Sequence, residues 1–142
     1  MSPAALKPGW RGTGLIAHEE AVKRLRAARG ALDRSGQDVL LVARCEAFWV
    51  GQPDLERLTA YSQAGADCLY APGINDLASI ARLVRSLDKP VNANLSGTGL
   101  SVVDLAHVGV RRVSVGGALA RASWTAFDGF AERLWTEGRL PG

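Results

Sequence analysis

The sequence predicts an α/β fold in which about four parallel strands alternate with helices and follow one extra helix. Two observations predict this fold. Short apolar runs that contain β-branched residues begin near residues 39, 67, 90 and 111, and each interval between them holds a segment with helical periodicity. Strands that are joined through a helix run parallel, with right-handed crossovers.

The first helix is predicted over residues 17–34, and Gly36 is well placed to end it. The run VLLVA at residues 39–43 is continuous and apolar but too short for a comfortable helix. We therefore expect a strand that is covered on both faces, as in parallel sheets. The apolar residues that recur at helical spacing in the first helix are Val22, Leu25, Ala28 and Leu32.

The second unit repeats this pattern. Residues 53–64 read as a helix that begins with a proline and ends at Gly65. Residues 67–71 read as the next strand, and the sequence PGIND then turns the chain. Residues 76–87 read as the following helix.

The last two strands are predicted from short apolar runs like the earlier ones. Residues 90–94 read as a strand that the loop LSGTG follows, and residues 111–115 read as the final strand. Between them, residues 101–108 read as a short helix that Ser101 and Asp104 open as a capping box. A long final helix is predicted over residues 117–135.

The length of 142 residues is enough for one domain. A complete (β/α)8 barrel takes about 250 residues and eight units, so four units make either a small open sheet or half of a barrel. We expect residues 1–16 to form an irregular segment and residues 17–142 to form a single domain.

Half of a barrel has two open strand edges, which invite association. We therefore expect a homo-oligomer that forms through these edges and the final helix. One face of that helix is apolar and carries Leu119, Ala122, Ala126, Phe127, Phe130 and Leu134, with Trp124 and Trp135 beside it.

Charge and hydropathy exclude several classes of partner. The net charge is +3, from 17 basic and 14 acidic residues that are interspersed, so we expect no nucleic-acid partner. No apolar run has the length of a membrane span and no signal peptide is evident, so we expect a cytoplasmic protein with no membrane partner. Cys45 and Cys68 lie in apolar runs and read as small buried residues.

Candidate site residues lie where the predicted strands end, because function in alternating α/β folds sits at the carboxyl ends of the strands. The arginine at residue 44 can hold a carboxylate or phosphonate through two parallel hydrogen bonds. Asn94 and Ser96 fall on the same side of their strand and offer amide and hydroxyl donors. The candidate substrate-binding residues are Arg44, Glu46, Asn92, Asn94 and Ser96.

Each of these residues also has a structural interpretation. Arg44 could instead pair with a carboxylate inside the barrel, and the asparagines could form turns. Glu46 could act as a general base, but a salt bridge to Arg44 is favoured. The segment SGTG at 96–99 could bind an anion through its backbone N–H groups, and Gly116 and Gly117 could bind phosphate at the start of the last helix, although tight turns are favoured at both places.

Four segments occur in order along the chain: ARCEAF at 43–48, AYSQAGADCLYAPGIND at 60–76, KPVNANLSG at 89–97 and LAHVGVRRVSVGGALARAS at 105–123. Taken together, these segments resemble the isocitrate lyase / phosphoenolpyruvate mutase superfamily. The resemblance runs from about residue 17 to residue 135, and its most characteristic parts are AGAD…APG and GVRRVSVG.

The resemblance implies a (β/α)8 barrel that binds small 2-oxo or carboxylate-rich acids. It implies cleavage or formation of C–C or P–C bonds, with Mg²⁺ or Mn²⁺ holding an enolate-like intermediate. Arg44 matches the family arginine that grips a carboxylate or phosphonate, Asn94 and Ser96 match carboxylate-holding donors, and Glu46 matches a usually acidic position. No catalytic residue is assigned.

The departures from the family pattern bear on activity. In the family the metal-binding aspartates come from earlier strands, and residues 1–38 do not match them. We therefore expect this chain to be the C-terminal half, to lack the metal ligands and to be inactive alone. Pro72 stands near a glutamate position of the true lyases, which favours the phosphonomutase-like branch.

Two alternatives stay open. The chain could be a degenerate, non-catalytic fragment of the superfamily that binds or oligomerises. It could also be a different barrel that binds a sugar phosphate through LSGTG and the glycines at 116–117.

Overall fold

The computed structural model describes residues 14–95, 97 and 99–139. Its four strands form one parallel sheet in the order β1-β2-β3-β4, so the prediction of an alternating α/β fold is confirmed. The strands are β1 Val42–Arg44, β2 Cys68–Tyr70, β3 Val91–Asn94 and β4 Arg112–Ser114. The helices are α1 His18–Ser35, α2 Leu55–Gln63, α3 Leu77–Ser86, α4 Val102–His107 and α5 Ala118–Glu137, with a 3₁₀ turn at Glu46–Phe48.

Side-chain caps fix where three of the helices begin. The carboxylate of Asp54 accepts the backbone N–H of Arg57 at 2.8 Å, and Asp76 caps α3 in the same way. The predicted capping box of α4 is present, with Ser101 and Asp104 each accepting the other's backbone N–H. Such caps satisfy N–H groups that have no partner inside the helix.

The prediction for the first strand is wrong at its start. The strand begins at Val42 rather than at residue 39, and Val39 and Leu40 are 48% and 66% exposed. The sheet pairing explains the difference, because the ladder starts where Val42 faces Cys68 and the residues before it lie beyond the start of β2. A continuous apolar run therefore does not mean that both faces are covered.

The hydrophobic core lies between the sheet and its helices. Ala43, Leu69 and Val91 are register partners on one face of the sheet, and all three are buried against Leu58 of α2 and its neighbours. Because side chains alternate along a strand, the residues that follow these three point to the other face. That face carries polar side chains and contains the candidate site.

Helix α5 contributes nothing to this core. None of its described residues is buried, and Trp135 is 91% exposed. The apolar face that the sequence predicts is therefore uncovered in the single chain.

Across the described residues, every helix falls short of the length and apolarity that crossing a bilayer requires. The cytoplasmic location stays a prediction.

Candidate functional site

Four polar residues occupy one register line across the sheet. Arg44 faces Tyr70, Tyr70 faces Asn92, and Asn92 faces Arg112. We call these four residues the polar row. Each strand contributes one member, so the row spans three interstrand spacings of about 4.8 Å each.

The first member of the row is held by two neighbours. Glu46 accepts from Arg44 through both carboxylate oxygens, with Nε–Oε1 at 2.5 Å and Nη2–Oε2 at 3.1 Å. The guanidinium carbon also lies 5.1 Å from the centre of the Tyr70 ring, which is a cation–π distance. The salt bridge that the sequence favours is therefore present, and it positions the arginine over β2.

The other predicted residues of β3 have different surroundings. Asn94 is half-buried, and its Nδ2 lies 3.4 Å from the Tyr70 hydroxyl. Asn92 is only 2% exposed. Its Oδ1 accepts from Arg112 Nη1 at 2.7 Å, and its Nδ2 donates to Ser114 Oγ at 3.1 Å. The structure therefore brings Arg44, Asn92 and Asn94 to one face, where Asn92 is engaged by protein groups.

Ser96 lies outside the described residues, so its pairing with Asn94 stays a prediction. The glycines on either side of Thr98, which also lies outside, have positive φ of 73° and 71°. At the other predicted phosphate loop, Gly117 is the N-cap of α5 and provides no side-chain cap. These backbone features are those of tight turns, and the phosphate interpretation stays open.

The sequence did not single out Tyr70 or Arg112 as site residues. Both belong to the polar row through strand pairing, and pairing register cannot be read from one strand alone. The available signal was the alternation of side chains along each strand. It places Tyr70 and the buried Leu69 on opposite faces of the sheet, and it does the same for Arg112 and Val113.

The donor set does not fit the divalent metal that the family implies. Mg²⁺ prefers carboxylate and carbonyl oxygens and water, whereas the polar row offers two guanidinium groups, a phenol and an amide. Glu46 is the carboxylate beside it, and both of its oxygens are bound to Arg44. Across the described residues, no three His, Cys, Asp or Glu side chains converge.

Clefts and cavities also lie among the described residues. A cleft of about 390 Å³ lies between α1 and α2, and another of about 480 Å³ lies beside α3. A small cavity of about 80 Å³ lies behind Arg44 and Glu46, where the buried Arg57 donates to the backbone oxygen of Ile16.

Comparison with known proteins agrees with this architecture. The family model described as phosphoenolpyruvate phosphomutase matches residues 7–135. The 2-methylisocitrate lyase of Salmonella typhimurium is 30% identical over 131 residues, which are 90% of this chain and 43% of the lyase.

Two solved structures extend the likeness to three dimensions. A Burkholderia cenocepacia J2315 protein, for which lyase or mutase activity has been suggested, is 42% identical with a TM-score of 0.81 over 94% of this chain. A phosphonopyruvate hydrolase in complex with oxalate and Mg²⁺ has a TM-score of 0.80 over 96% of this chain, and at 24% identity it shows a shared fold.

This chain covers 50% and 53% of those two solved chains, so it spans about half the length of its relatives. The family model matches most of the sequence. The chain also shares its fold with the two solved structures. The predicted resemblance is therefore confirmed. The chain belongs to the phosphoenolpyruvate mutase family, within the isocitrate lyase / phosphoenolpyruvate mutase superfamily of lyases and mutases.

Proposed function

We propose that this chain supplies the substrate-binding face of a lyase or phosphonomutase that acts on small 2-oxo, carboxylate-rich or phosphonate acids. The observation that carries the proposal is the position of Arg44 at the end of β1, fixed over the Tyr70 ring by Glu46. A guanidinium that is held in one orientation loses less freedom when it binds an anion than a free one does.

The residues of this face have separable roles in binding. Two of the five N–H groups of Arg44 point to Glu46, which leaves donors for a carboxylate or phosphonate. Asn94 lies two strands further along, on β3, where its amide donates to the Tyr70 hydroxyl at 3.4 Å, and we assign it a contact with the same ligand on the basis of the family resemblance. We assign Ser96 a hydroxyl donor to the same ligand, on the basis of the family resemblance, and we assign no catalytic residue.

The family chemistry also needs a metal. When it is bound, Mg²⁺ or Mn²⁺ stabilises the negative charge that develops on an enolate-like intermediate. The residues described in this chain do not offer the cluster of oxygen ligands that such an ion prefers. We therefore propose that the 142 residues alone bind ligand but do not catalyse bond cleavage.

We also propose that two or more copies of the chain associate. Within the part of the chain that the structure describes, β1 and β4 are the two edge strands of the sheet, and open parallel edges favour pairing with another chain. The apolar face of α5 is exposed to solvent, and burying it against another chain is favourable. Both features favour a second copy of this chain as the occupant.

The proposal is tested by calorimetric titration of oxalate, a minimal dicarboxylate, into the purified chain. We expect saturable binding that Arg44→Ala abolishes. Arg24→Ala is the matched control, since Arg24 is an exposed arginine of α1 that also pairs with a glutamate, at 2.8 Å. Loss of oxalate binding in both variants, or in neither, would contradict the assignment of Arg44. Robust Mg²⁺-dependent cleavage of a 2-oxo or 2-hydroxy diacid by this chain would contradict the proposed inactivity.

A further inference from the structure

Each arginine of the polar row lies on an outer strand of the sheet and contacts a residue of the neighbouring inner strand. Arg44 belongs to β1, but its guanidinium lies over the Tyr70 ring of β2. Arg112 belongs to β4, but its Nη1 reaches Asn92 of β3 at 2.7 Å. Because β2 and β3 are paired neighbours, the two cationic groups lie over adjacent strands, whose spacing is about 4.8 Å.

The charges on this face do not balance. Glu46 neutralises Arg44. Across the described residues, no carboxylate lies within ion-pair distance of Arg112. The hydrogen bond to Asn92 is the polar contact that the structure gives its guanidinium, which lies on an exposed residue. One positive charge of the polar row therefore has no carboxylate partner among the described residues, and it is the charge of Arg112.

Asn92 is built to hold this arginine. The amide is almost fully buried at 2% exposure. Its oxygen faces Arg112, and its nitrogen faces Ser114, whose hydroxyl lies 3.4 Å from the backbone oxygen of Ala93. A buried amide whose two ends are both engaged cannot rotate without losing hydrogen bonds. Asn92 is therefore a positioning residue for the guanidinium of Arg112.

We propose that Arg112 is a second anion-binding group of the site and that the ligand is a compact dianion. One acidic group of the ligand faces Arg44, and the other faces Arg112. The inference rests on the proposed function because the two share Arg44. It adds Arg112 to the candidate residues that bind the ligand.

Calorimetric titration of oxalate and of acetate into the wild-type chain and three variants tests the inference. The variants are Arg112→Ala, Arg112→Lys and the matched control Arg111→Ala, which removes the same charge one residue away, on the alternate side of the strand. We expect Arg112→Ala to weaken oxalate binding at least about fivefold and to leave acetate binding within about twofold. Arg112→Lys keeps the charge but not the planar fork, and we expect an intermediate loss.

The outcomes separate this inference from the proposed function. If wild-type chain does not bind oxalate, both are overturned. If it binds oxalate and Arg44→Ala abolishes binding, but Arg112→Ala behaves like Arg111→Ala, only the role of Arg112 is overturned. Equal losses in Arg112→Ala and Arg111→Ala would indicate general charge attraction and would also overturn it. Thermal melts monitored by circular dichroism check that each variant is folded. We expect folded variants because Arg111 and Arg112 are both exposed.

Discussion

Arg44 and Glu46, two residues apart at the end of β1, form a two-point ion pair with N–O distances of 2.5 and 3.1 Å. The pair is partly exposed, with each side chain near 30% accessible. It therefore orients the guanidinium and also competes with any anion that approaches the same edge. These two effects have opposite consequences for binding, and the charge effect is expected to dominate because Tyr70 orients the guanidinium as well.

Replacing Glu46 with glutamine tests this competition. The change keeps the size of the side chain and removes its negative charge, so we expect oxalate to bind about threefold more tightly than it binds to wild type. Glu20→Gln is the control, because Glu20 pairs with Arg24 on the far helix α1. Weaker oxalate binding in Glu46→Gln would show that the orienting role is the larger one.

Gly73 is expected to be intolerant of a side chain. It follows β2 with a φ of 95°, and a Cβ atom there would lie 3.0 Å from the backbone oxygen of Phe48. Gly73→Ala should therefore lower the free energy of unfolding by about 1–3 kcal/mol more than Gly51→Ala. Gly51 is the matched control because its φ is 75° and nothing lies within 4 Å of its Cβ position. Urea denaturation measures both, and equal losses would mean that the contact with the 3₁₀ turn does not constrain this loop.

The two cysteines are expected to be unreactive in the folded chain. Both are buried, and burial raises the pKa of the Cys45 thiol and of the Cys68 thiol. The thiols should therefore resist a disulfide reagent at pH 8 and react at once in denaturant. Fast labelling of either thiol in the native chain would contradict this burial, and Cys45→Ala and Cys68→Ala would identify which one reacts.

The same shifts predict a pH dependence. In the unfolded chain the thiols ionise at their ordinary pKa, whereas the folded chain keeps them protonated to higher pH. The folded state therefore binds more protons above that value, so the free energy of unfolding should fall as the pH rises through the ordinary thiol pKa and beyond. Urea denaturation between pH 7 and about pH 10 measures the trend. A double Cys→Ala variant should lack the part of it that the thiols cause, and an unchanged slope in that variant would contradict the assignment.

Helix α5 is expected to mediate self-association. Phe127 is 62% exposed and forms an edge-to-face pair with Trp124 at 6.0 Å. Phe127→Asp should shift the chain from oligomer toward monomer in analytical ultracentrifugation, because a charge opposes burial of that face. Thr125→Asp adds the same charge about 200° around the helix and should leave association unchanged. A wild-type chain that sediments as a monomer at micromolar concentration would contradict the proposed assembly.

The fold was predictable because its signals are local. Alternating strands and helices follow from periodicity, and Asp54, Asp76 and Ser101 are capping residues that mark helix starts by their chemistry. The start of β1 was not predictable, because Val39 and Leu40 are apolar and yet lie beyond the start of the neighbouring strand β2. Only the pairing register decides whether such residues are covered.

The candidate site was predictable in part. Arg44 and Glu46 are adjacent in the chain, and their pairing could be inferred from spacing. The link between Asn92 and Arg112 joins residues 20 positions apart, and it exists because β3 and β4 pair in one particular register. A single sequence contains no direct signal for that register, so the contact between Asn92 and Arg112 is visible only in the fold.

The central claim is that a compact dianion binds across the polar row. The most direct measurement is a titration of oxalate followed by two-dimensional ¹H–¹⁵N NMR of the backbone amides and the arginine side chains. The account predicts that the largest shifts fall on Arg44, Tyr70, Asn92 and Arg112 and saturate together. Shifts confined to the cleft between α1 and α2, or no saturable shifts at all, would contradict it.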